Sequence, residues 1–107
     1  MSEIILSMQD DFNRMVEDGV SLVDFNAPWC GPCRAQDPIV SQLGEDYGGK
    51  ARFVKVNIDE HNNIAMEFGI QSIPTIIIFK KGREMKRLVG LQTAAMLSRA
   101  LDNLLDQ

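Results

Sequence analysis

The segment from Val20 to Cys33 constrains this chain more than any other. It opens with the run Val20-Ser21-Leu22-Val23-Asp24-Phe25-Asn26, whose two faces, Val20/Leu22/Asp24/Asn26 and Ser21/Val23/Phe25, both carry apolar side chains. A strand of that kind belongs inside a sheet covered on both sides. Ala27-Pro28 ends it, and Trp29-Cys30-Gly31-Pro32-Cys33 follows at what reads as a helix start. Cysteines three apart on a first helical turn share a face, so their sulfurs can meet. A helix N-terminus carries partial positive charge and unpaired N–H groups, which favour a thiolate. The thiolate is the attacking species in disulfide exchange. Pro32 suits that turn, because the N–H it lacks would be unpaired there anyway.

The remaining sequence reads as a frame for this segment. Glu3-Ile4-Ile5-Leu6 is expected as a first strand. Ser7 to Asp11 offers capping and first-turn acids for a helix whose apolar face is Phe12, Met15 and Val16, with Gly19 after it. A helix from Cys33 to Tyr47 is marked by Ile39, Leu43 and Tyr47 at four-residue spacing, with Gly48-Gly49 as its stop. Pro38 inside it removes a backbone donor, and a kink is expected there. Ala51 to Ile58 alternates as a strand, Asp59 to Phe68 reads as a short helix, and Thr75 to Lys80 as an apolar strand. Lys81-Gly82 turns the chain into an edge strand, Glu84 to Val89, which Lys86 and Arg87 guard against unwanted pairing. Thr93 caps a last helix striped by Leu97, Leu101, Leu104 and Leu105. The order βαβαβαββα predicts an α/β fold: a five-stranded mixed sheet flanked by four α-helices, in one domain over residues 1–107.

Composition narrows the function classes. The net charge is −4 and the basic residues are scattered, which argues against nucleic acid as a partner. The longest apolar run outside the first strand, Ile76-Ile77-Ile78-Phe79, is too short to span a bilayer, so no membrane role is expected. The N-terminal residues lack a basic region before their apolar stretch and do not read as a signal peptide. The chain has two cysteines, both in the one Cys-x-x-Cys, which is no secreted disulfide framework. A cytoplasmic location is the expectation. Half of a zinc site is the rival reading of the pair, but zinc needs four ligands and His61 is distant and alone.

Further motifs make the sequence recognisable. Val23-Asp24-Phe25, Ala27-Pro28-Trp29-Cys30-Gly31-Pro32-Cys33-Arg34, Pro38, Val56-Asn57-Ile58-Asp59, Ile73-Pro74-Thr75, Phe79-Lys80-Lys81-Gly82 and Val89-Gly90 resemble the thioredoxin family over essentially the whole chain. The resemblance implies a protein-disulfide reductase and electron donor. Cys30 would attack a target disulfide, and Cys33 would resolve the mixed disulfide, leaving a Cys30–Cys33 disulfide. It also implies a proton-transfer role for Asp24 behind the second cysteine, and places Lys55 near that acid. Trp29, Gly31, Pro32, Ile73, Pro74 and Gly90 would form an apolar docking face, with a cis Ile73–Pro74 bond. From the residues alone, Pro74 would read as trans. No cofactor is implied on the chain itself. Electrons would come from NADPH through a flavin-dependent thioredoxin reductase, and the partners would be that reductase and disulfide-containing proteins, met by a monomer.

Alternatives stand beside these expectations. A buried Asp24 should have a raised pKa, but it could also merely accept backbone hydrogen bonds. Lys55 either approaches Asp24 or faces solvent. Asn26 stands where many family members carry a second tryptophan, and Gln36-Asp37 replaces residues that are usually apolar or small. Asp37, four residues after Cys33, would raise the Cys33 pKa or be a solvated helix acid. An oxidase or isomerase of the same fold is the nearest rival in function. A binding module that uses the apolar face, with its redox chemistry incidental, is the second.

Overall fold

The computed structural model of the protein describes residues 9–106. In chain order the elements are α1 (Gln9–Val16), β1 (Val20–Asn26), α2 (Gly31–Asp46), β2 (Ala51–Asn57), α3 (Asn62–Glu67), β3 (Thr75–Lys80), β4 (Arg83–Val89) and α4 (Ala94–Leu105). The described sheet has four strands in the order β2-β1-β3-β4. The fifth strand of the sequence expectation, at residues 3–6, lies outside the described residues. β1 pairs parallel with β2 and antiparallel with β3. β3 pairs antiparallel with β4, with a register shift at Ile78/Phe79.

The alternation in β1 sorts the core into two layers. Val23 and Phe25 join Phe12, Val16, Val54, Val56, Ile64, Ile77 and Phe79 on the side of α1 and α3. Val20 and Leu22 join Val40, Leu43, Ile76, Ile78, Leu97, Leu101 and Leu104 on the side of α2 and α4. Since side chains alternate along a strand, Asp24 follows Val20 and Leu22 onto the α2/α4 side. All of β1 except Asn26 is buried. The apolar content of both strand faces therefore reports a central strand, and Asp24 is 1% exposed inside it.

Local chemistry sets the boundaries. Lys81 and Gly82 both take positive φ, 52° and 81°, the geometry of a two-residue hairpin turn whose twist matches its strands. The Asn57 side chain accepts the Asp59 N–H at 2.8 Å, and the Glu60 and His61 N–H groups turn back to the Asn57 carbonyl. That turn occupies the residues after β2, so α3 begins at Asn62 rather than at Asp59. The long helix starts at Gly31 and runs unbroken through Pro38 to Asp46. Thr93 caps α4, its Oγ1 accepting the Met96 N–H at 3.1 Å.

Candidate active site

Cys30 is the N-cap of α2, in extended conformation, with Gly31 and Pro32 as the first helical residues. That turn brings Cys33 back under Cys30, and the two sulfurs are joined in a disulfide. Cys30 Sγ also accepts the Cys33 N–H at 3.2 Å. One of the orphan amides of the helix start is thus aimed at the first sulfur, and this contact stabilises negative charge there once the disulfide opens. Cys30 Sγ stands 3.7 Å from the Ile73 carbonyl oxygen, an acceptor for its proton in the thiol form. Both cysteines are 5% exposed in this disulfide state. Exposure therefore does not distinguish them here. Their asymmetry lies in the backbone: Cys30 precedes the helix and Cys33 is inside it.

Around the pair, Ala27, Ile58 and Ile73 form a small apolar cluster with the two sulfurs. The Ile73–Pro74 bond is cis. Of the six residues expected in a docking face, Trp29 is 63% exposed, Gly31 and Pro32 are exposed, and Ile73 and Gly90 are half-buried. Pro74 is buried, and its carbonyl accepts the Gly90 N–H at 2.8 Å. The Trp29 indole N–H donates to Asp59 Oδ2 at 2.9 Å. Trp29, Ile58, Ile70, Gln71, Ser72 and Ile73 line a shallow recess beside the disulfide.

Asp24 lies behind this face. Burial pushes its carboxyl up to about 6, the Lys55 charge pulls it down, and the Asp37 charge adds a smaller upward push. Its Oδ1 finds no hydrogen-bond donor among the described residues. Lys55 is Asp24's register partner on β2, yet its ammonium bonds elsewhere, to Asp37 Oδ1 and to Ser41 Oγ at 2.8 Å. The structure thus brings Lys55 near Asp24 but spends its hydrogen bonds on α2. Asp37 shares an open depression with Cys33, Arg34, Asn26 and Asn57, and its charge is engaged by Lys55. Asn26 Nδ2 donates to the Asp24 carbonyl at 3.0 Å.

Two contributors were not assigned from the sequence. Gln36 is fully buried, and its amide pairs with the backbone of Gln92. The signal available was a polar residue on the same helix face as Cys33, one turn on. Asp59 reads from the sequence as a helix start, and its contact with Trp29 crosses 30 residues of sequence.

A disulfide closed across the first turn of a helix, at the end of a central strand, defines a thiol–disulfide oxidoreductase. The thioredoxin family model matches residues 3–103. A thioredoxin from Staphylococcus aureus is 45% identical over 92 residues, 86% of this chain and 88% of that protein. Among solved structures, a thioredoxin from Malassezia sympodialis superposes with a TM-score of 0.82 at 35% identity, covering 94% of this chain and 88% of the other. A mitochondrial thioredoxin of Saccharomyces cerevisiae in its oxidised form gives 0.84 at 29% identity, with 92% of each chain covered.

The chain belongs to the thioredoxin family. Its function is protein-disulfide reduction and electron donation by dithiol–disulfide exchange, and its partners are disulfide-containing targets and a reductase. Members of the family carry no cofactor of their own. Among the described residues, no three His, Cys, Asp or Glu side chains gather as a metal site, and no helix is long and apolar enough to cross a membrane.

Proposed function

We propose that Cys30 is the attacking thiol and Cys33 the resolving one in a general protein-disulfide reductase. One observation carries this assignment: Cys30 Sγ caps the helix and accepts the Cys33 N–H. In the reduced protein, the Cys30 thiolate attacks one sulfur of a target disulfide. A Cys30–target bond forms and the other target sulfur leaves as a thiolate. Cys33 then gives up its proton and attacks Cys30 Sγ. The mixed disulfide breaks, the second target thiolate leaves, and the Cys30–Cys33 disulfide remains. Two electrons have passed to the target.

Asp24 is the acceptor of the Cys33 proton in this scheme. It is buried on the α2 side of β1, and a carboxyl pushed up to about 6 is mostly ionised near neutrality yet readily protonated. Lys55 acts on Asp24 through its charge, as a positioning residue rather than a direct partner. Trp29, Gly31, Pro32, Ile73 and Gly90 form the docking face around the disulfide, and Pro74 supports it from beneath. The flat, mostly apolar character of that face suits varied protein targets. Residues 1–107 act as one domain and a monomer in the cytoplasm; the location is supported by cysteine usage, both cysteines lying in the one Cys-x-x-Cys. Electrons reach the disulfide from NADPH through a flavin-dependent thioredoxin reductase.

The test is reduction of insulin disulfides coupled to NADPH oxidation by such a reductase. NADPH consumption should require both the chain and insulin. If dithiothreitol supports insulin reduction through the chain and NADPH with the reductase does not, the electron source is wrong. If neither does, the reductase reading falls.

A further inference from the structure

Five polar or charged side chains are buried among the described residues: Ser21, Asp24, Gln36, Thr75 and Gln92. Ser21 and Thr75 donate to nearby carbonyls, of Met15 and Ser72. Gln36 and Gln92 differ, because they join parts of the chain 56 residues apart. Gln36 is fully buried on α2, one turn after Cys33. Its Nε2 donates to the Gln92 carbonyl at 3.1 Å, and its Oε1 accepts the Gln92 N–H at 2.7 Å. This reciprocal pair is the pattern one residue offers another across an antiparallel ladder. Here a side-chain amide takes the place of the neighbouring strand.

Gln92 lies near the end of the loop of residues 90–93 between β4 and α4. At the other end of that loop, the Gly90 N–H donates to the Pro74 carbonyl at 2.8 Å. The Gln92 side chain also turns back to the carbonyls of Val89 and Gly90, at 3.3 and 3.2 Å. The loop is therefore fastened twice, to the residue after the cis bond and to the helix that carries Cys33. Leu91, between the two fastenings, is 52% exposed. An apolar side chain at position 36 would fill the space without desolvating an amide, but it would leave the Gln92 N–H buried and unpaired. The amide fixes direction where apolar packing would fix only volume.

We propose that Gln36 is a positioning residue for target recognition: its buried amide ties the Gly90–Gln92 edge of the docking face to the active-site helix. The thiols and that edge then keep one relative geometry when a target strand lies against them. The inference rests on the docking-face reading given above.

Steady-state kinetics with two substrates test it, using wild type, Gln36→Met and Trp29→Ala. Insulin needs the docking face; the small aryl disulfide dithionitrobenzoate needs only the thiols. Losing a buried hydrogen-bond pair should raise the KM of Gln36→Met for insulin roughly three- to tenfold, with kcat and the dithionitrobenzoate rate unchanged. Equal losses on both substrates would overturn the inference, since the amide would then act on the thiols or on the fold as a whole. If Trp29→Ala raises the insulin KM and Gln36→Met does not, this inference alone fails. If neither does, the docking-face reading fails and takes the inference with it. Should Gln36→Met not fold, amide hydrogen exchange in the wild type decides. Gln92 N–H protection comparable to the sheet amides supports the fastening, and exchange at an open-loop rate overturns it.

Discussion

Lys55 faces Asp24 across the parallel β1/β2 pair, but its ammonium is bonded to Asp37, one turn beyond Cys33 on α2. The lysine is 41% exposed and the aspartate 58% at the side chain, so the pair itself adds little to stability. Its effect falls on the third charge. Asp37 holds the cation at the rim of the site, and its own negative charge pushes the Asp24 carboxyl upward. An acid read from the sequence as a candidate tuner of Cys33 acts also on Asp24 in the structure.

Asp37→Ala removes that upward push and frees Lys55 to turn toward Asp24. The Asp24 carboxyl should then titrate below about 6. Carboxyl carbon NMR of the oxidised protein reads this without interference from thiols. An unchanged or higher value would show that Lys55 does not respond to Asp37.

Stability should depend on pH through Asp24. The folded value, about 6, lies above the ordinary 3.8, so between those two values the native state binds more protons than the unfolded one. Stability then falls as pH rises through that window and levels off above it. A shift of this size corresponds to roughly 3 kcal/mol. The stability advantage of Asp24→Leu over wild type, measured by urea unfolding, should shrink by most of that amount from pH 8 to pH 4. A pH-independent difference would contradict the burial of an ionised carboxylate.

Phe12 tests the frame rather than the chemistry. It is fully buried on α1, and its ring lies 5.5 Å from that of Phe68 and 5.9 Å from that of Phe79. Phe12→Ala should cost about 3–5 kcal/mol in denaturant unfolding. Because this layer lies on the α1/α3 side of the sheet, away from Asp24, the dithionitrobenzoate rate of the folded fraction should be unchanged. A proportional loss of rate would mean that the two layers are coupled.

The strands were the legible part of the fold. β1 and β3 match their sequence boundaries, because a central strand is apolar on both faces and nothing else in so short a run looks like that. Thr93 was legible as a cap for the same kind of local reason. The α3 start was not, since the Asn57 side chain competes for the following backbone and a propensity reading does not weigh that turn. At the site, the disulfide across the helix start was legible in the cysteine spacing and the charge network was not. Whether Lys55 reaches Asp24 or Asp37 depends on how α2 lies over β2, and whether Gln36 is solvated depends on a loop far along the chain. The equal burial of the two cysteines likewise depends on packing that spacing alone does not encode.

The division of labour between Cys30 and Cys33 is tested most directly by trapping. Cys33→Ser and Cys30→Ser, each reduced and mixed with insulin, are resolved by non-reducing mass spectrometry. Cys33→Ser should accumulate a covalent complex joined through Cys30 and turn over no insulin, while Cys30→Ser should form no complex. A stable complex with Cys30→Ser, joined through Cys33, would contradict the assignment of the attacking thiol.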